Sequence, residues 1–548
     1  MSVLAVLVGL TTSAPARAVE GARAAEEIRS VTRDGFVLQL YRVPVTASPM
    51  TGAGATRSDF DGDGVDDIAA AAVPHYRIDL PESSAGIVVV HYSSAPQVDY
   101  LTGSALSGSG CCFGTPVVAG DFDGDGYDDL AIGDPDEVDR GNRAEGGGVW
   151  IIPGSPSGLV LDSASHVNQS SPGVPGESET KDWFGGALAA GDLNGDGRDD
   201  LAIGAYGEAI GSKTEAGAVT VLFGSPTGIT TTGAQDIHQD QAAVPGGSER
   251  NDMFGFGLAI GRVNNDRYAD LAIASPNEND EPNGSGAVAL IWGSAGGMST
   301  TGATSVTGVD LYQGMPEAGT TVRRLGEALA IGDVNGDGLG EVIAGAPSST
   351  TPNVTGGLVV AFTGRSGGLS RDAVRVVTQR TSGVPGEPEG GDWFGARLAV
   401  GDVTGDGRAD VLVGTPGEAL GSATGAGVVT LLKGSAAGLT GTGAQSFDQN
   451  DPIVPGGAEA GDRFGGSVAL LNLDGVGGLD ALVAAPGEEV NGDDAGWGSG
   501  STYRFHGSGG GLVPQPTSTN GAGLRTDRIW PQQYGLHLVG AQGGHTPY

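Results

Sequence analysis

Basic residues are scarce in this chain of 548 residues. Lys and Arg number 28 against 66 Asp and Glu, a formal net charge of −38. Such a field opposes binding of DNA, RNA or an anionic membrane surface. Cysteine is nearly absent: only Cys111 and Cys112 occur, side by side. Two cysteines with no histidine close in sequence exclude a cysteine-rich zinc module and a disulfide-dense scaffold. The pair is open to several readings: a vicinal disulfide, bonds between chains, free thiols, or two small buried side chains. Aromatic residues make up only 5 % of the chain. Long apolar runs are missing too. Beyond the N-terminus none approaches the ~18 residues of a membrane span, and no long stretch shows a 3.6-residue apolar period. The 7 histidines include no H-E-x-x-H spacing. No catalytic residue is therefore expected, and the chain reads as a protein that is not an enzyme.

What is abundant is glycine, 101 residues, against an average usage of about 7 %. Between the glycines stand short β-branched runs such as LAIG, VTVLF and VVTLL. They are bounded by Gly, Pro, Asp and Ser, and they read as strands. The first residues, VLAVLVGLTTSAPARA, hold an apolar core and end in Ala16-Arg17-Ala18. Residues 1–18 thus resemble a secretory signal with a small-residue cleavage site, although the usual basic start is missing.

An acidic loop recurs seven times, beginning at Asp59, Asp121, Asp192, Arg262, Asp333, Asp402 and Asn472. The intervals are 62, 71, 70, 71, 69 and 70 residues. Most units share a frame. An aromatic-Gly pair (Phe113-Gly114, Phe184-Gly185, Phe254-Gly255, Phe394-Gly395, Phe464-Gly465) opens an apolar segment ending before the loop. Unit five has Leu325-Gly326 in that place. After the loop come a LAIG-like strand, a turn such as Gly345-Ala346-Pro347, and two further strands. Seven units of four short strands are the arithmetic of a β-propeller.

The F-G pair, the D-x-D-G-D-G-x-x-D loop and the G-A-P turn resemble the FG-GAP repeat of integrin α-chain propellers and their bacterial secreted relatives. The resemblance covers roughly residues 50–540. It implies an all-β fold, a seven-bladed β-propeller with four-stranded blades, and calcium in the loop joining the first two strands of several blades. Unit one lacks its aromatic-Gly strand, while the C-terminus carries a spare copy, YGLHLVG (534–540). The C-terminal strand is therefore expected to pair into the first blade and remove two open sheet edges. The expected organisation is a signal at 1–18, an appendage at 19–49 with an extra strand at 36–43, the propeller at 50–541 and a tail at 542–548.

Calcium takes 6–8 oxygen ligands. A nine-residue loop can offer side chains at positions 1, 3, 5 and 9 and a carbonyl at position 7. The expected sets are Asp59, Asp61, Asp63, Val65 and Asp67; Asp121, Asp123, Asp125, Tyr127 and Asp129; Asp192, Asn194, Asp196, Arg198 and Asp200; Asp333, Asn335, Asp337, Leu339 and Glu341; and Asp402, Thr404, Asp406, Arg408 and Asp410. Four to five calcium ions follow. Unit four places the cation Arg262 at position 1, and unit seven has Val476 at position 5, so neither is expected to bind. An EF-hand is excluded because position 12 is apolar in every unit.

The functional expectation is a secreted or cell-surface binding or adhesion module, monomeric, with a protein or glycan partner on the face opposite calcium. The alternatives are a structural or accessory surface protein without one defined ligand and, further off, a propeller hydrolase or lyase. On the same face, Asp182, Asp252, Asp392 and Asp462 are expected to serve turns, as are Glu137, Glu208, Glu278, Glu418 and Glu488. Trp183, Met253, Trp393 and Arg463 vary within the frame and are candidate contact residues, with packing between blades as the competing role.

Overall fold

The computed structural model describes residues 27–33, 36–44, 57–72, 86–94, 97–103, 112–138, 144–278, 284–311, 321–350, 356–488, 501–515 and 537–538. The segments 1–18, 51–56 and 542–548, together with Cys111, lie outside these residues.

The described chain forms seven antiparallel sheets. Blade three shows the plan. Phe184–Gly191, Asp200–Ala205, Ala218–Phe223 and Thr230–Ile237 pair in sequence order. The strands alternate direction, so Gly191 pairs with Asp200 at one end and Phe184 with Ala205 at the other. Acidic loops therefore gather on one face, and the aromatic-Gly pairs and GAP-like turns on the opposite face. The second strands are buried along their whole length. A strand covered on both faces reads as a continuous apolar run, which is why DLAIGA and DVLVGT show no alternation.

The aromatic-Gly pair joins each blade to the one before it. Phe184 donates its backbone N–H to Gly146 O at 2.8 Å, and Phe254 donates to Ala216 O at 2.9 Å. Phe394 and Phe464 make the same bond, to Gly356 O at 2.9 Å and Ala426 O at 2.8 Å. Their rings are fully buried between blades. The glycines are required by contact as well as by conformation. Gly255 has φ 91°, and a Cβ on its neighbour Gly204 would lie 2.2 Å from the Gly255 carbonyl oxygen.

The ring closes as expected. His537–Leu538 pairs with Ile68–Ala72, Leu538 opposite Ala70 and His537 opposite Ala71. It also packs against Ser467–Leu471 of blade seven. Blade one departs from the four-stranded plan because Phe36–Pro44 and Glu27–Arg33 add to its outer edge, giving six strands. Part of the stretch read as an appendage is thus continuous with the first blade. Arg57 secures the same seam, donating to the carbonyls of Val400 at 3.0 Å and Leu470 at 3.4 Å in blades six and seven.

Removing residues 530–548 re-exposes the edge of Ile68–Ala72. The truncated protein is expected to melt at least about 5 °C lower, given about 2–4 °C per kcal/mol for a large domain. A thermal melt beside the full chain checks this. An unchanged melting temperature contradicts the closure.

Candidate functional site: the acidic loops

Each acidic loop is a tight turn organised by its first carboxylate. In blade two, Asp121 Oδ1 accepts the backbone N–H of Gly124 at 2.8 Å and of Asp125 at 3.1 Å, and Oδ2 accepts that of Gly126 at 3.1 Å. Asp59, Asp192 and Asp333 repeat the pattern. The backbone can wrap so closely because positions 4 and 6 are glycines at positive φ, such as Gly124 at 77° and Gly126 at 91°.

Position 9 faces inward and ties the loop to its own blade. Asp200 Oδ2 accepts from Leu193 N at 3.0 Å, and Oδ1 accepts from Gly224 N at 3.0 Å. Asp270 does the same with Val263 N and Gly293 N, both at 3.1 Å. An acid is therefore needed at position 9 even in blade four, where Arg262 occupies position 1. Burial pushes these carboxyls up, to about 7 for Asp129 and Asp200 and about 6 for Asp270. Neighbouring loop carboxylates add to the rise. An ionised position-9 group in this setting is stabilised by any cation that enters the loop.

Two loops bring three carboxylates together, and a third, in blade seven, brings Asp474 and Asp480 together with His506. In blade one, Asp59, Asp61 and Asp67 each offer an oxygen within 4.8 Å of the others, and in blade two Asp121, Asp123 and Asp125 do so. Ligands at ~2.3–2.6 Å from one ion stand at most about 5 Å apart across it, so both sets fit a single calcium-sized ion. Asp61 Oδ1 and Asn194 Oδ1 are buried and have no hydrogen-bond partner among the described residues. Buried oxygens without a partner are the kind of group that a bound cation would satisfy. Asp63 and Asp61 also receive the hydroxyls of Ser93, at 2.7 Å, and Ser94.

The other loops are arranged differently. In blades three and six the position-5 carboxylates meet an arginine at position 7: Arg198 to Asp196 at 2.6 Å and Arg408 to Asp406 at 2.5 Å. In blade five the Asn335 amide donates to Glu341 Oε1 at 2.6 Å. In blade six Thr404 Oγ1 lies 3.5 Å from Asp402 Oδ1. Val65, Tyr127, Arg198, Leu339 and Arg408 stand at position 7, where each amide is held by the position-5 carboxylate. The two loops expected to be inert carry cations of their own. Arg262 donates to Asp266 O at 2.6 Å. In blade seven, Arg504 donates to Asp480 Oδ2 at 2.6 Å, and His506 Nδ1 lies 2.8 Å from Asp474 Oδ2.

Position 8 went unnoticed in the sequence. Its N–H donates to the position-1 carbonyl of the preceding blade: Asp128 to Asp59 at 3.0 Å, Asp199 to Asp121 at 2.9 Å, Ala269 to Asp192 at 3.0 Å. Gly340 to Arg262 at 2.6 Å, Ala409 to Asp333 at 2.7 Å and Leu479 to Asp402 at 2.9 Å continue the series. Asp66 to Asn472 at 2.9 Å completes the circle. Asp66 and Asp128 also accept the backbone N–H of Asn472 and Asp59 on their side chains, at 2.6 and 2.8 Å. The acid pair D-D at positions 8 and 9 in units one to three was the available signal, and it was masked by the acids expected to bind metal.

On the opposite face, Asp182, Asp252, Asp392 and Asp462 each accept a backbone N–H three residues before them, as a turn requires. The glutamates do something else. Glu208, Glu278, Glu418 and Glu488 accept the side-chain amides of Gln169, Gln239, Gln379 and Gln449, each 39 residues earlier and in the preceding blade. Trp183 packs against Tyr206, ring centroids 5.1 Å apart. Cys112, in the corresponding position of blade two, is disulfide-bonded.

Comparison with known proteins agrees with this architecture. The sequence model of the FG-GAP repeat matches residues 113–152, 184–222, 325–362 and 394–432. The chain therefore carries FG-GAP repeats, in blades two, three, five and six. It is 30 % identical over 235 residues to human phosphatidylinositol-glycan-specific phospholipase D, covering 42 % of this chain and 26 % of that one. It is 31 % identical over 227 residues to integrin alpha-PS2 of Drosophila melanogaster, covering 40 % of this chain and 14 % of the integrin. The chain thus spans about a quarter or less of these relatives. A solved structure of rhamnogalacturonan lyase YesW aligns over 95 % of this chain and 75 % of the lyase at TM-score 0.32 and 12 % identity, too remote to bear on function. The expectation that this chain is not an enzyme is corrected by these relatives. The repeats are shared with a phospholipase D, so they do not mark a protein as lacking catalysis.

Position 5 and position 9 make separable predictions. Replacing Asp125 by Ala is expected to shrink the rise in melting temperature on adding calcium, while Asp266→Ala leaves it unchanged. Asp270→Ala is expected to destabilise the protein by about 2–4 kcal/mol with or without calcium, because two buried amides lose their acceptor at roughly 1–3 kcal/mol each. Thermal melts in calcium and in chelator check all three. Equal calcium responses for Asp125→Ala and the unsubstituted protein contradict the assignment.

Proposed function

We propose that this protein is a calcium-stabilised binding module that works outside the cytoplasm and engages its partner through the face opposite the acidic loops. Four to five loops, those of blades one, two, three, five and six, hold the ions. Binding to the native state alone adds RT ln(1 + [L]/Kd), roughly 2.7 kcal/mol at a hundredfold excess over Kd. The disulfide at Cys112 supports an oxidising compartment. Among the described residues no helix is long and apolar enough to cross a membrane.

One observation carries the choice of face. In four blades the residue before the aromatic-Gly pair takes a left-handed backbone although it is bulky: Trp183 at φ 55°, Met253 at 58°, Trp393 at 60° and Arg463 at 56°. Arg324, before Leu325-Gly326, is at 54°. Such conformations cost on the order of 1–3 kcal/mol each in a non-glycine residue. Glycine would remove the strain, yet five blades keep a large side chain, tryptophan in two, arginine in two and methionine in one. Half-buried residues held this way present a varied surface on an invariant frame, which suits recognition of a protein or glycan.

Changing Trp183 and Trp393 together to Gly removes the contact surface and relieves the backbone. The double variant is expected to fold at least as stably as the parent and to lose binding at least tenfold on a combined protein and glycan array. A variant that keeps its binding, or an array on which the parent binds nothing, contradicts the proposal.

A further inference from the structure

Blade four has a second acidic group, at the end of the sheet away from its Arg262 loop. Glu249 and Asp252 lie on the segment entering the blade, and Glu278 follows its second strand, Asp270–Ser275. Each offers a carboxylate oxygen within 4.8 Å of the other two. The same frame recurs as Glu179, Asp182 and Glu208, as Glu389, Asp392 and Glu418, and as Glu459, Asp462 and Glu488. Among the described residues only the set in blade four converges this closely.

The oxygens around the group are under-used. Asp252 is 1 % exposed, Ser248 3 % and Gln239 5 %. Asp252 Oδ1, Ser248 Oγ and Gln239 Oε1 are each buried without a hydrogen-bond partner among the described residues. Gln239 reaches the group directly, its amide nitrogen donating to Glu278 Oε2 at 2.7 Å. Its orphaned oxygen, on the same amide, therefore lies at the margin of the cluster. Asp252 Oδ2 is already committed to Glu249 N at 2.5 Å, which leaves Oδ1 for another partner. The guanidinium arriving from blade five does not fill that role. Arg324 donates to Glu327 Oε2 at 2.7 Å and to Asn277 Oδ1 at 3.0 Å.

We propose that Glu249, Asp252 and Glu278 form a divalent-cation site at the entry to blade four, on the face opposite the acidic loops. The donor set is oxygen only, which selects a hard ion of the calcium type over zinc or copper. Carboxylate oxygens within 4.8 Å of one another match the span across one such ion, about 5 Å. Three carboxylates this close repel one another in a poorly solvated setting. The cation offsets that repulsion and supplies the partner that Asp252 Oδ1 lacks. Without it, burial and the neighbouring carboxylates hold the Asp252 carboxyl up at about 7, and a shared proton is the competing solution. The site uses no residue of the loops and stands or falls apart from them.

Native mass spectrometry in calcium counts the ions bound to the unsubstituted protein, Glu249→Gln, Asp252→Asn and the loop variant Asp125→Ala. Glu249→Gln and Asp252→Asn are each expected to bind one ion fewer than the parent. Glu249→Gln combined with Asp125→Ala is expected to bind two fewer. Glu249 is only half-buried and its replacement keeps its shape, so its count decides the matter if Asp252→Asn fails to fold. If Glu249→Gln keeps the full count while Asp125→Ala loses one, a shared proton holds the cluster and the site is overturned. If Asp125→Ala keeps the full count and Glu249→Gln loses one, this site stands and the loop assignment fails. A parent that binds no ion overturns both.

Discussion

Seven hydrogen bonds on one face hold the ring together. Each runs from the N–H at position 8 of an acidic loop to the carbonyl at position 1 of the loop before it. The bond from Asp66 to Asn472 joins blade one to blade seven. The circle is therefore closed by the repeat itself, and the C-terminal strand beside Ile68–Ala72 reinforces a contact that the loops already make. A propeller has no other continuous element crossing all its blades. Its sheets are separate hydrogen-bonded units, and on the opposite face the aromatic-Gly amides and the Gln–Glu pairs supply further bonds from blade to blade.

The same position would serve a metal in the proposed reading. The residue whose carbonyl receives the neighbouring blade also gives its carboxylate to the centre of its own loop, as Asp59, Asp121, Asp192 and Asp333 show. An ion that fixes the position-1 residue thus fixes the acceptor used by the next blade. Blades four and seven reach the same end with built-in cations. Arg262 holds the Asp266 carbonyl, and Arg504 lies 2.6 Å from Asp480 Oδ2 and 3.7 Å from Asp474 Oδ2. An arginine is always present, whereas calcium, if the proposed loops hold it, would come and go with its concentration, so that the ring would combine permanent joints with conditional ones.

Most of the fold was legible because its strongest signals are local. The period near 70 residues shows as repetition, and the glycines of the loops are demanded within their own turn, as Gly124 at φ 77° and Gly126 at 91° show. Even the closure could be read, since a missing first strand and a spare one are both visible in sequence. What stayed hidden depends on contacts between blades. The pairing of Gln239 with Glu278 across 39 residues and the two-way clasp of Asp66 with Asn472 leave no trace in any single unit. The outer strands Glu27–Arg33 and Phe36–Pro44 were only half foreseen, because an edge strand carries no motif. The acids misled by number. Position 9 is acidic in every loop for a backbone reason, so counting carboxylates overstates what each contributes to metal binding.

Amide hydrogen exchange at position 8, in calcium and in chelator, tests the coupling of ring and metal most directly. The amides of Asp128, Asp199, Ala269, Ala409 and Leu479 bond to loops that hold ions in this account, and those of Gly340 and Asp66 bond to loops that do not. Chelation is expected to speed exchange at the first five while Gly340 and Asp66 stay protected. Equal loss at all seven, or no loss at any, would contradict the account.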